Sequence, residues 1–217
     1  MNQIKIKLPG IDDFFTQEAY KTLRTNLQFC GQDVQVIAFT SSSENEGKTT
    51  ISLHTAKSLA ELGKSVLFID ADMRKSVLAG RNTNAKNTSG LCEVLTGMSV
   101  VADCIYVTQY PELHIMFAGK YPPNPVELFG GKYFTELIKE ARNVYDYIII
   151  DTPPLGMVID AAVISPNCDG MALVINCDKA RYRNVREVIN QLEKTGSRIL
   201  GVVRNNIPQQ NKAYYKK

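Results

Sequence analysis

Six short runs of consecutive apolar residues punctuate the chain: Val34–Thr40, Ser65–Asp70, Leu113–Phe117, Asp146–Asp151, Gly170–Asn176 and Arg198–Arg204. Continuous runs rich in Val, Ile and Phe, as opposed to alternating ones, mark strands covered on both faces. Between them the apolar positions recur at helical spacing. Lys48–Leu62 carries Ile51, Leu53, Leu59 and Leu62 and stops at Gly63, a residue suited to follow a helix end. Val126–Arg142 and Asn184–Thr195 read alike, and Gln17–Phe29 predicts an amphipathic helix before the first strand. Strand and helix alternate, so the pattern predicts an α/β fold with a doubly wound, mostly parallel sheet flanked by helices. Residues 76–90 are polar and punctuated and read as an exposed loop. The expected organisation is one domain over residues 1–205, followed by a polar, basic tail over 206–217 that carries Tyr214 and Tyr215.

Composition narrows the class without naming it. With 44% hydrophobic and 22% charged residues, the chain is neither disordered nor fibrous. Apolar runs of four or five residues are far short of the roughly 18 that a membrane span needs, and the first ten residues lack the apolar stretch of a signal peptide. The formal net charge of +3 is too small to imply nucleic acid, and no basic–aromatic interleaving suggests one. Five widely spaced cysteines with no C-x-x-C pair argue against a disulfide framework or a zinc site. His54 and His114 have no partners at ligand spacing.

Thr40-Ser-Ser-Ser-Glu-Asn-Glu-Gly-Lys-Thr-Thr50 follows an expected strand and opens an expected helix, the setting of a phosphate-binding P-loop. Gly47 lets backbone N–H groups approach phosphate oxygens. Lys48 places an ammonium against them, and Thr49 offers a hydroxyl to Mg²⁺. Ser42 stands where G-x-x-x-x-G-K-[ST] has its first Gly, and Asn45 is a residue that tolerates positive φ. Asp70 and Asp72 end one strand and Asp151 ends another, where ligands of open α/β sheets bind. Three carboxylates converging there would call for a cation, which Mg²⁺ bound to ATP supplies.

With those residues in view, the sequence resembles the bacterial tyrosine kinases (BY-kinases) of capsule and exopolysaccharide biosynthesis, within the P-loop NTPases of the MinD/ParA-like superfamily. Ser41–Thr50 resembles their Walker A, with Glu44-Asn45 in place of the usual Pro-Gly. Asp70-Ala-Asp-Met-Arg-Lys75 resembles their Walker A′, and Tyr147–Pro154 their Walker B. Pro122-Pro-Asn-Pro-Val-Glu-Leu128, Gly90–Leu95 and Gly201–Asn205 follow in family order. Gln17–Asn26 resembles the oligomerisation motif E-E-x-x-R-x-x-R-T-N, with Glu18, Lys21 and Arg24 at its charged positions. Positioning ATPases of the superfamily carry a signature Lys where this chain has Ser43.

The resemblance implies a protein-tyrosine kinase that binds ATP through Glu44, Asn45, Glu46, Gly47, Lys48, Thr49 and Thr50, with Asn205 near the adenine. It implies Mg²⁺ held by Thr49, Asp72 and Asp151, with Lys48, Asp70, Asp72 and Asp151 as the catalytic set and Asp70 accepting the tyrosine proton. It implies Tyr214 and Tyr215 as phosphoacceptors. It further implies a homo-oligomeric ring, a membrane adaptor that activates the kinase and recruits it from the cytoplasm to the inner face of the cell membrane, a cognate tyrosine phosphatase, and protein substrates of sugar metabolism. Two alternatives stand beside this reading: a MinD/ParA-like positioning ATPase, and a nucleotide-dependent non-catalytic scaffold.

Overall fold

The apolar runs meet in one eight-stranded sheet of the computed structural model, which describes residues 2–8, 13–81 and 88–207. The strands are β1 (Asn2–Gln3), β2 (Val36–Ser41), β3 (Val66–Asp70), β4 (Tyr106–Val107), β5 (Leu113–Met116), β6 (Tyr147–Asp151), β7 (Gly170–Asn176) and β8 (Ile199–Asn205). Their order is β1-β4-β5-β3-β6-β2-β7-β8. The β4–β5 pairing is antiparallel and every other pairing is parallel. Among the described residues, no helix is long and apolar enough to cross a membrane.

The helices are α1 (Phe14–Phe29), α2 (Lys48–Ala60), α3 (Leu78–Arg81), α4 (Leu91–Leu95), α5 (Val101–Cys104), α6 (Pro125–Phe129), α7 (Lys132–Arg142), α8 (Asp160–Ile164) and α9 (Tyr182–Lys194). They cover both faces of the sheet. Along β2, Val36 and Ala38 point to a core that includes Phe129, Phe134, Leu137, Val188 and Leu192 of α6, α7 and α9. Ile37 and Phe39 point to the opposite core, with Leu27 of α1 and Ile51 and Leu59 of α2. The same alternation runs through β3 and β6. Apolar residues on both sides of the pleat are therefore what the unbroken runs encode. Each fully buried Ile, Leu or Phe contributes about 1.5–3 kcal/mol.

The six expected strands form within two residues of the expected ends. Three expectations need correction. The helix expected over Val126–Arg142 is two helices, broken at Gly130-Gly131. Gly131 is extended (φ −79, ψ 160) and caps α7, and the bend brings Phe129 and Phe134 edge to face at 5.4 Å. The N-terminal helix starts at Phe14, three residues before Gln17, because Asp13 caps it by accepting from the Thr16 N–H at 2.9 Å. The 76–90 stretch is not loop throughout, since α3 forms within it. The short strands β1 and β4 carry too little pattern to be read from sequence. Tyr214 and Tyr215 lie outside the described residues.

Candidate active site

The phosphate loop between β2 and α2 is held by its own acid. Glu46 is buried, and its carboxylate accepts from the N–H of Ser42 at 2.7 Å, the N–H of Ser43 at 2.9 Å and the hydroxyl of Ser42 at 3.0 Å. The loop closes through left-handed backbone at Asn45 (φ 60) and Gly47 (φ 89). Asparagine accepts that conformation at little cost. Gly47 has a second constraint, because a Cβ there would sit 2.2 Å from Nδ2 of Asn205. Asn205 donates that same nitrogen to the Glu46 carbonyl at 2.9 Å, so the end of β8 braces the loop from behind. α2 begins at Lys48, and the N–H groups of its first turn have no partner within the helix. They and the helix dipole favour an anion in front of the loop.

Two buried carboxylates lie beneath. β6 runs between β3 and β2, which sets Asp151 opposite Asp70 in register. Lys48 Nζ pairs with Asp151 Oδ1 at 2.8 Å, and the Ser52 hydroxyl donates to the same oxygen at 3.2 Å. Asp151 Oδ2 is buried without a partner. Among the described residues, no cation pairs with Asp70. It accepts from the Ser76 hydroxyl at 2.5 Å and the Asp72 N–H at 3.1 Å. Burial pushes its carboxyl up to about 7, the Asp151 charge pushes the same way, and the Ser76 hydrogen bond opposes them.

The cleft above has a volume of about 170 Å³. Its walls include Glu44 to Thr50 on one bank, Asp72, Arg74, Lys75 and Val77 on the other, and Pro153, Pro154, Met157 and Val158. Asp70 and Asp151 are buried and do not line it. Asp72 faces the cleft, but its Oδ1 accepts from the N–H groups of Arg74 and Lys75 at 3.2 and 2.9 Å. The expected convergence of three carboxylates is therefore two plus one. Asp72, two residues past the strand end, caps the turn that follows. Among the described residues, no three His, Cys, Asp or Glu side chains gather as a metal cage. A divalent ion is instead suited by the bare buried oxygen of Asp151, the Thr49 hydroxyl and Asp72, with phosphate oxygens and water completing its shell, as Mg²⁺ prefers. The residues present fit that ion.

Several pairings of the site had no signal in the sequence. Asp160 is fully buried and holds Arg74 Nε at 2.9 Å, which aims the guanidinium at the cleft. Lys75 reaches across the mouth to Glu44 at 2.7 Å. A Cβ on Gly156 would lie 2.1 Å from the Ser42 carbonyl, so the loop after β6 presses directly on the phosphate loop. Each pairing joins segments far apart in the chain. Glu44 and Glu46 are legible as loop residues and Arg74-Lys75 as a basic pair after the acidic motif, but their partners are not. On α1, Lys21 pairs with Glu18 of its own helix at 2.7 Å, and Arg24 donates to the Ser58 carbonyl of α2 at 2.9 Å. His54 is buried with its ring 5.0 Å from Tyr20, and His114 bonds the Tyr145 hydroxyl at 2.9 Å.

A glycine-braced loop feeding a helix, with a lysine answered by an acid from the adjoining strand, defines a P-loop nucleotide-binding domain of the MinD/ParA type. Residues 34–204 match the AAA domain family. The fold superposes on the septum site-determining protein MinD from Pyrococcus horikoshii, complexed with Mg-ADP, with TM-score 0.64 and 27% identity over 77% of this chain and 68% of that one. Within this class the resemblance to kinases is stronger. The sequence is 40% identical to the tyrosine-protein kinase CpsD of Streptococcus agalactiae over 92% of this chain and 87% of that protein. The kinase domain of the Escherichia coli tyrosine kinase ETK superposes with TM-score 0.83 and 30% identity, covering 92% of this chain and 79% of that one. The chain belongs to the bacterial tyrosine-protein kinase family.

Proposed function

We propose that this chain transfers the γ-phosphoryl group of ATP to tyrosine hydroxyls, its own Tyr214 and Tyr215 among them, and so regulates polymerisation and export of a capsular or exopolysaccharide. The observation that carries the mechanism is the unequal pair of buried acids. Asp151 is paired with Lys48, whereas Asp70 pairs with no cation among the described residues and its carboxyl is raised to about 7. Environments that push two carboxyls apart divide their roles. Asp70 is poised to take the proton of an incoming phenol, whose free pKa near 10 makes an acceptor useful.

Phosphoryl transfer then depends on position and charge. Residues Glu44 to Thr50 wrap the phosphates with backbone N–H groups. Lys48 leaves Asp151 for phosphate oxygens, Arg74 adds a second cation anchored by Asp160, and Asn205 holds the loop closed. Thr49, Asp72 and Asp151 would hold Mg²⁺, which when bound offsets negative charge on the phosphate oxygens. Glu18, Lys21 and Arg24 contribute to a homo-oligomeric ring. A membrane adaptor brings that ring to the inner face of the membrane and activates it. A phosphatase reverses the labelling, and proteins of sugar metabolism are further substrates.

The test is purified chain with Mg·ATP labelled at the γ-phosphate, alone and with the cytoplasmic segment of a polysaccharide co-polymerase. Label on tyrosine is the expected result. Phosphate release with no phosphotyrosine would favour the positioning ATPase, and neither product would favour the scaffold.

A further inference from the structure

Tyr182 opens α9 and is 76% exposed. Its phenolic oxygen accepts from Arg186 Nη1, one turn along, at 3.0 Å. Arg181 precedes it as the cap residue of the helix. Arg183 follows, pairing with Glu187 at 3.0 Å on an open face. From Asp178 to Glu187, four cations (Lys179, Arg181, Arg183, Arg186) stand against two carboxylates. Nothing in the mechanism above uses this cluster. Its position is specific, however. β7 runs parallel to β2 and ends at Asn176, so the segment leading into α9 leaves the sheet at the end where the phosphate loop lies. Tyr182 therefore lies at that end of the sheet but does not line its own cleft. α9 is anchored through Val188 and Leu192, both fully buried, so the tyrosine cannot swing into that cleft without lifting the helix.

We propose that Tyr182 is a phosphoacceptor on the body of the kinase, modified by a second copy of this chain, with Arg186 and Arg183 receiving the phosphate. This rests on the tyrosine-kinase reading above. In the step, the phenolic oxygen of Tyr182 bonds to the γ-phosphorus of ATP. The bond from that phosphorus to the β–γ bridging oxygen breaks, and ADP leaves with its electron pair. The phenolic proton passes to Asp70 of the second copy. Before transfer, the exposed Tyr182–Arg186 bond is weak and releases the phenol at little cost. After transfer, a group carrying nearly two negative charges sits among arginine forks, which bind phosphate through charge-assisted hydrogen bonds. The basic segment becomes close to neutral, so the modification resets which charged surfaces can dock against it.

The experiment maps phosphotyrosines by mass spectrometry in full-length chain incubated with Mg·ATP and the adaptor segment. A catalytically dead Lys48→Met chain is mixed with an active Tyr182→Phe chain. Phosphate on Tyr182 of the dead chain is expected, and it persists when the dead chain also carries Tyr214→Phe and Tyr215→Phe. In the Arg186→Gln chain, removal of phosphate from Tyr182 by an added tyrosine phosphatase should quicken several-fold, with the tail sites unchanged. Tail labelling with Tyr182 unlabelled overturns this inference and leaves the kinase reading standing. No phosphotyrosine anywhere overturns both.

Discussion

At the level of single residues, the two buried acids behave oppositely on substitution. Among the described residues, Lys48→Met leaves Asp151 with the Ser52 hydroxyl as its one side-chain partner. Removing one member of a buried ion pair costs about 3–5 kcal/mol, so the melting temperature should drop along with the loss of tyrosine labelling. Adding Asp151→Asn should restore much of the stability and none of the labelling. Equal melting of the single and double variants would show that the pair does not hold the site. Asp70 gives the pH test. Its carboxyl is raised from 3.8 to about 7, so between these values the native chain keeps a proton that the unfolded chain has released. Stability from this group is full below about pH 4, declines as pH rises to about 7, and is flat above. Asp70→Asn should remove that slope and melt higher than the parent at pH 8. Its rate of tyrosine phosphorylation should fall by about 100-fold or more, with ATP still bound. Parallel melting-versus-pH curves for the two proteins would remove Asp70 from this role.

At the scale of elements, the phosphate loop is a part built by its neighbours. Gly156 never lines the cleft, yet any side chain there meets the Ser42 carbonyl. Gly156→Ala should therefore displace the loop and weaken ATP binding at least several-fold by calorimetry, with little change in the far-ultraviolet circular dichroism. Glu46→Ala should do the same by a different route, since it releases the Ser42 and Ser43 N–H groups. Unchanged affinity in either variant would mean the loop holds itself. These supports also mark the limit of what the sequence reveals. The central strands are legible because burial on both faces leaves an uninterrupted apolar run, as at Tyr147–Asp151. The loop is legible because Gly47-Lys48-Thr49 sits between a strand and a helix. The break at Gly130-Gly131 was hidden by apolar residues that keep helical spacing across it. Ser76 under Asp70, Asp160 under Arg74 and Gly156 under Ser42 were hidden because each pairing is made by tertiary packing. Local periodicity carries no trace of a partner 86 residues away.

For the whole molecule, one end of the sheet carries everything the proposed chemistry uses. The phosphate loop, both buried acids, Asn205 and the start of α9 lie at the carboxyl ends of β2, β3, β6, β7 and β8. The C-terminal segment departs from the same end, just after Asn205. A Tyr214→Phe/Tyr215→Phe chain should accordingly lose most of its phosphotyrosine by immunoblot and keep only the share on Tyr182. Unreduced labelling would move the main acceptors into the folded body. Asp70 adds a consequence through its depth alone. It is 1% exposed and does not line the cleft. A phenol at the tip of a rigid ring extends further from the backbone than an alcohol one bond beyond Cβ. On the proposed reading, a buried proton acceptor favours the longer reach of tyrosine over serine or threonine.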